Sequence, residues 1–204
     1  MGWIAAVRAI SPPGAESVRA LAGHFAAFTL TALIVGLIEE IFFRGAVFGS
    51  LRQSLPWSAA AWISSLFYAA VHFFGQAGPS APIRWSSGFA ALGAMVRTGF
   101  VFDRMIPGFL ALTCAGLILA LAYQRLGSLA FPIGLHAGWI FWLKFYGYLT
   151  EKAPNGAAQF WGTGKLIDGW FAFVILLLML AGAWAMAKKT EKGLDDAPDG
   201  KKLA

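Results

Sequence analysis

Glu39 and Glu40 stand side by side in the apolar run Leu30-Thr-Ala-Leu-Ile-Val-Gly-Leu-Ile-Glu-Glu-Ile-Phe-Phe-Arg-Gly, with Arg44 four residues beyond Glu40. A charge near a bilayer centre costs at least ~3 kcal/mol on insertion scales, so an intramembrane carboxylate pair marks a functional site by default. The chain has three histidines. His72 lies in Phe67-Tyr-Ala-Ala-Val-His-Phe-Phe and His136 in Pro132-Ile-Gly-Leu-His-Ala-Gly-Trp-Ile. Alone, either reads as a hydrogen-bonded packing residue. Combined with the glutamates, they read instead as candidates for general acid–base catalysis.

Spacing separates the two carboxylates. Glu40 and Arg44 fall on one helix face, where an ion pair holds Glu40 ionised and structurally occupied. Glu39 is rotated about 100° away, beside a like charge and in an apolar setting, which suits it to general-base work. The plainer alternative is that both glutamates lock neighbouring helices together. With straight helices, Glu39 lies ~18 Å, His72 ~21 Å and His136 ~10 Å from the face where the first two spans join, so the three can meet in one cavity. His24 falls near the opposite face and reads as an interface residue.

The elements that must carry these residues are apolar helices. Hydrophobic residues make up 58% of the 204 positions and charged ones 13%, and mean hydropathy is +0.66. A soluble domain averages about 25% charged residues, so this is an all-α, polytopic helical membrane protein. Spans are expected at about 21–51, 58–74, 105–125, 129–149 and 167–187, each near the ~20 residues that a crossing needs. Between the second and third, Gly75 to Arg104 predicts an amphipathic interfacial helix, with Trp85, Phe89, Leu92, Val96 and Phe100 at helical spacing. The organisation is thus an interfacial segment (1–20), a transmembrane core (21–187) and a charged, disordered tail (188–204). The first twenty residues lack the apolar core of a secretory signal. Basic residues near span ends lean slightly towards a cytoplasmic amino terminus. A net charge of +6 is scattered between apolar runs rather than gathered on a polar face, which argues against nucleic acid as a partner. The single cysteine, Cys114, is read as a packing residue.

Glu39-Glu40-x-x-x-Arg44, an aromatic four residues before His72, and His136 opening a later span resemble the three motifs of the CAAX protease and bacteriocin-processing (CPBP, or ABI) family. Type II CAAX prenyl endopeptidases are among its members. The resemblance covers roughly residues 21–150. It implies an intramembrane glutamic endopeptidase in which Glu39 and His72 activate water and His136 serves the oxyanion site. Two departures stand out: Tyr68 replaces the usual Phe, and Ile140 stands where the family carries an asparagine donor four residues after the later histidine. Trp139, nearly on the face of His136, has an indole N–H that can substitute.

The expected reaction is hydrolysis of a peptide bond in a membrane-associated or lipidated protein or peptide, without a covalent intermediate and without a cofactor. Catalytic roles go to Glu39, His72 and His136, with Glu40, Arg44, Tyr68 and Trp139 in support. Zinc stays open as an alternative, because two histidines and a glutamate form a known catalytic ligand set. So does a non-proteolytic scaffold or peptide-binding protein tolerant of Ile140. A transporter fits poorly, since no inverted repeat is visible. The lipid bilayer is the expected setting, the plasma or inner membrane in a bacterium.

Overall fold

The computed structural model describes residues 15–73, 102–149, 160 and 169–195, with side chains described over 18–73, 106–149, 160 and 169–188. Among the described residues there are helices and no strands. Helix α1 (Ala15–Glu40) runs directly into a π-helical stretch (Ile41–Phe48) and a closing turn, α2 (Gly49–Leu51). Then come α3 (Trp57–His72), α4 (Phe102–Leu126), α5 (Ala130–Leu149) and α6 (Trp170–Asp195). In the π-helical stretch the Gly49 N–H reaches the Arg44 carbonyl, five residues back. Single π-turns inserted in α-helices are rare and concentrate at functional sites. This one begins immediately after the glutamate pair.

Short turns bring helices together at one end of the molecule. Pro56 stands just outside α3 with extended backbone, which stops the preceding turn. Arg52 ties that turn down, donating from Nη1 to the Leu55 carbonyl at 3.0 Å and from Nε to Gln124 Oε1, at the end of α4, at 3.2 Å. The Gly127 N–H caps α4 on the Tyr123 carbonyl at 3.0 Å, and Ser128 Oγ accepts the Ala130 N–H at 3.2 Å to start α5. The sequence Leu126-Gly-Ser-Leu-Ala therefore stops one helix and starts the next within a few residues.

Small residues set how closely the helices pack. Helix α1 lies against α5, while α3 and α6 lie against α4. A Cβ added at Gly36 would sit 3.2 Å from the backbone nitrogen of Ala137, next to His136. One added at Gly116 would sit 2.8 Å from Ser65 Cβ. Without a hydrophobic driving force between helices in lipid, such close approaches are how apolar helices gain packing energy.

Among the described residues, three helices are long and apolar enough to cross a membrane: Val18–Leu51, Ile106–Leu126 and Trp170–Lys188. The second is the central one, 72% buried inside the protein over its most apolar stretch, against 11% for the first and 0% for the last. Leu30, Ile38, Leu178 and Met186 are more than half exposed on the outer helices. Apolar surface on that scale is membrane-facing. The other two expected spans are helical but weaker by this measure: α3 has 16 residues, and α5, with 20, carries Pro132, His136 and Lys144.

Two boundaries differ from expectation. Helix α6 continues through Asp195, so the segment read as a disordered tail from 188 begins as helix, in keeping with the helix propensity of its Lys, Glu and Leu residues. Helix α4 starts at Phe102, taking the last residues assigned to the connecting segment. The interfacial helix expected over Gly75 to Arg104 otherwise lies outside the described residues, as does most of the segment 1–20.

Candidate active site

Glu39 and Glu40 are the last two residues of α1, and Arg44 lies in the π-helical stretch that follows. Their side chains separate as the helical rotation requires. Glu40 is fully buried and Arg44 2% exposed, and Arg44 Nη1 donates to Glu40 Oε1 at 3.0 Å. Arg44 Nη2 donates to the Gly116 carbonyl at 3.1 Å, and the guanidinium lies 5.0 Å from the centre of the Tyr68 ring. A buried ion pair holds only when further hydrogen bonds offset desolvation. The Gly116 carbonyl provides one.

Glu40 has a second partner across the molecule. His136 Nδ1 donates to the same Oε1 at 2.8 Å, so one carboxylate oxygen holds both the arginine and the histidine. Since an ionised carboxylate only accepts, this bond places the hydrogen on Nδ1 and turns Nε2 the other way. His136 Nε2 lies 3.3 Å from the Tyr68 hydroxyl and 3.7 Å from Glu39 Oε2.

His72 reaches the same point from the end of α3. Its Nδ1 donates to the Tyr68 carbonyl at 2.8 Å, an acceptor-only group, so again Nε2 is turned outward. It lies 3.8 Å from Glu39 Oε2. Tyr68 and His72 are four residues apart on α3 and share one face, with ring centroids 4.5 Å apart. Glu39 Oε2 is thus faced by two imidazole Nε2 atoms, both beyond direct hydrogen-bonding distance, and it has no hydrogen-bond partner of its own.

Burial divides the cluster into two layers. Glu40, Arg44, Tyr68 and His136 are sealed. The side chains of Glu39 and His72 are 26% and 30% exposed and form the more open layer, although Glu39 Oε2 itself is buried. Chemically, the arrangement offers a free carboxylate oxygen, two imidazole nitrogens and a phenolic hydroxyl around one point, with a buried ion pair behind them. Among the described residues, no group of three His, Cys, Asp or Glu side chains forms a metal-holding cluster.

The structure brings together Glu39, Glu40, Arg44, Tyr68, His72 and His136. It does not bring in Trp139, which is half-buried on α5, and Ile140 beside it offers no donor. His24 sits apart, its ring tilted against those of Tyr148 at 4.4 Å and Phe28 at 5.6 Å. Cys114 is buried in α4 as a free thiol. The bond between Glu40 and His136 was missed in the sequence, as were the Gly116 carbonyl and the buried Ser65 Oγ, which has no partner. Glycine and serine within apolar helices were the available signal for close crossings. An apolar groove of about 340 Å³ between α3, α4 and α6, with Trp57, Trp62, Leu117 and Trp184 among its walls, contains none of the cluster's residues, so the chemistry lies elsewhere.

Comparison with known families matches residues 21–142 to the family described as type II CAAX prenyl endopeptidase Rce1-like. The matched segment spans more than half of the chain and every member of the cluster. Comparisons with curated proteins and with solved structures found no match.

Proposed function

The chain belongs to the type II CAAX prenyl endopeptidase Rce1-like family, a family of proteases, and from that premise we propose that it is a multi-pass intramembrane endopeptidase using Glu39 as general base. The observation that carries this reading is Glu39 Oε2, unpartnered and faced by His72 Nε2 at 3.8 Å and His136 Nε2 at 3.7 Å. Polar groups at such separations suit a bridging water.

In the proposed reaction Glu39 accepts a proton from a water held with His72. The resulting hydroxide bonds to the carbonyl carbon of a membrane-associated or lipidated peptide, and the carbonyl electron pair moves onto oxygen. On collapse the C–N bond breaks and Glu39 returns the proton to the leaving amine. Glu40 and Arg44 take no proton in this scheme. They fix His136 from behind, as a carboxylate fixes a catalytic imidazole.

Cleavage of an internally quenched peptide library by purified protein in proteoliposomes, compared with Glu39→Gln, tests this directly. Loss of cleavage in a folded mutant supports it, and equal rates in the two proteins overturn it. A zinc-dependent reaction is the second reading. The two Nδ1 atoms held on acceptors are the pattern that orients metal-binding histidines, but among the described residues no three side chains are grouped to hold the ion. Metal content by mass spectrometry, together with chelator sensitivity of cleavage, separates the two.

A further inference from the structure

Hydrolysis by activated water needs a donor for the tetrahedral oxyanion, and His136 is poorly placed to be that donor alone. Its Nδ1–H is committed to Glu40 Oε1 at 2.8 Å, so in the neutral ring Nε2 carries a lone pair and cannot donate. Ile140, one turn further on, has no polar atom, and the Trp139 indole makes no hydrogen bond among the described residues. One neutral hydroxyl remains in the cluster, that of Tyr68, at 3.3 Å from His136 Nε2.

We propose that the Tyr68 hydroxyl is the oxyanion donor of this enzyme, a catalytic role that rests on the proteolytic reading above. With His136 neutral, Tyr68 donates to Nε2 at rest and turns to the oxyanion as charge develops. With His136 protonated, Nε2–H donates to the phenolic oxygen, leaving O–H directed to the substrate and more strongly polarised. No proton is transferred from Tyr68 in either case; it hydrogen-bonds the oxygen that has gained the carbonyl electron pair.

The geometry agrees with what such a donor needs. Tyr68 O–H and Glu39 Oε2 both lie beside His136 Nε2, no farther apart than 3.3 and 3.7 Å laid end to end. The water held by Glu39 and the oxyanion held by Tyr68 belong to one tetrahedral centre, so base and donor must both reach the same carbonyl group, and that limit satisfies the requirement. Tyr68 is rigidly held. Its ring packs edge-on to Phe43 at 5.0 Å and lies beneath the Arg44 guanidinium, while its carbonyl holds His72. A preorganised donor stabilises the transition state because it is not reoriented during the reaction.

The test uses full-length protein in proteoliposomes and whichever library peptide the wild type cleaves. Tyr68→Phe removes only the O–H, and kcat is expected to fall about 10²- to 10³-fold with KM little changed. Adding Ile140→Asn to Tyr68→Phe is expected to restore part of that loss. Replacing Tyr68 by 3-fluorotyrosine, with its more acidic hydroxyl and nearly unchanged shape, is expected to hold or raise kcat. This variant decides the matter if Tyr68→Phe fails to fold. Wild-type kcat in folded Tyr68→Phe, or a large loss in Trp139→Phe, overturns the assignment while leaving the glutamate mechanism intact. A wild type that cleaves nothing in the library overturns both.

Discussion

The 2.8 Å hydrogen bond from His136 Nδ1 to Glu40 Oε1 joins residues 96 apart in the chain and makes Glu40 the hinge of the cluster. The same oxygen accepts from Arg44 Nη1 at 3.0 Å. A glutamate that sequence spacing assigns to a local ion pair therefore also fixes the orientation of a histidine on another helix.

Glu40→Gln tests that double role. The amide keeps the volume and one acceptor but loses the charge that two cationic or donor groups share. We expect cleavage to fall by about 10- to 100-fold, the range typical when the partner that orients an active-site histidine is altered. Initial rates in proteoliposomes measure it, and an unchanged rate would show that the bond has no bearing on chemistry.

Arg44→Ala should act mainly on stability. It strands Glu40 as a buried charge without its cation, at a cost of about 3–5 kcal/mol. Arg44→Lys should recover only part, because one ammonium cannot reproduce the forked contact to Glu40 Oε1 and the Gly116 carbonyl. Thermal unfolding in detergent, followed by tryptophan fluorescence, reads both variants. Melting temperatures equal to wild type would mean that the pair is solvated.

Glu39→Gln should behave in the opposite way. Its Oε2 has no hydrogen-bond partner and its side chain is partly exposed, so the substitution should leave the melting temperature nearly unchanged while abolishing cleavage. A mutant that loses both would place Glu39 in the structural layer with Glu40.

Gly116→Ala should destabilise by about 1–3 kcal/mol, the usual cost of overpacking, because the new Cβ falls 2.8 Å from Ser65 Cβ. Ser65→Ala removes the Oγ that lies 2.9 Å from the new Cβ but keeps Ser65 Cβ, so it should give partial relief in the double mutant, whereas Ser65→Gly removes both and should give more. The non-additivity of the pair, measured from unfolding midpoints, distinguishes this contact from a general effect on α4.

What the sequence by itself determined was everything local. Apolar runs follow from residue-by-residue transfer energies, so the five long helices among the described residues could be read from composition along the chain. The ion pair of Glu40 and Arg44 follows from four-residue spacing, and the cost of carboxylates in an apolar run singled out Glu39. The tertiary structure alone decided which distant groups these residues meet. Straight helices put Glu39 at ~18 Å and His136 at ~10 Å depth, near enough to share a cavity, and the packing of α1 against α5 decides that His136 Nε2 lies 3.7 Å from Glu39 Oε2. That packing turns on Gly36 meeting the backbone at Ala137. The same long-range packing gave Glu40 its second partner, pointed the Tyr68 hydroxyl at His136 and left Trp139 out. Hydrogen bonds between helices depend on sub-ångström differences in how side chains interlock, and those are set by all the neighbours together rather than by any stretch of sequence.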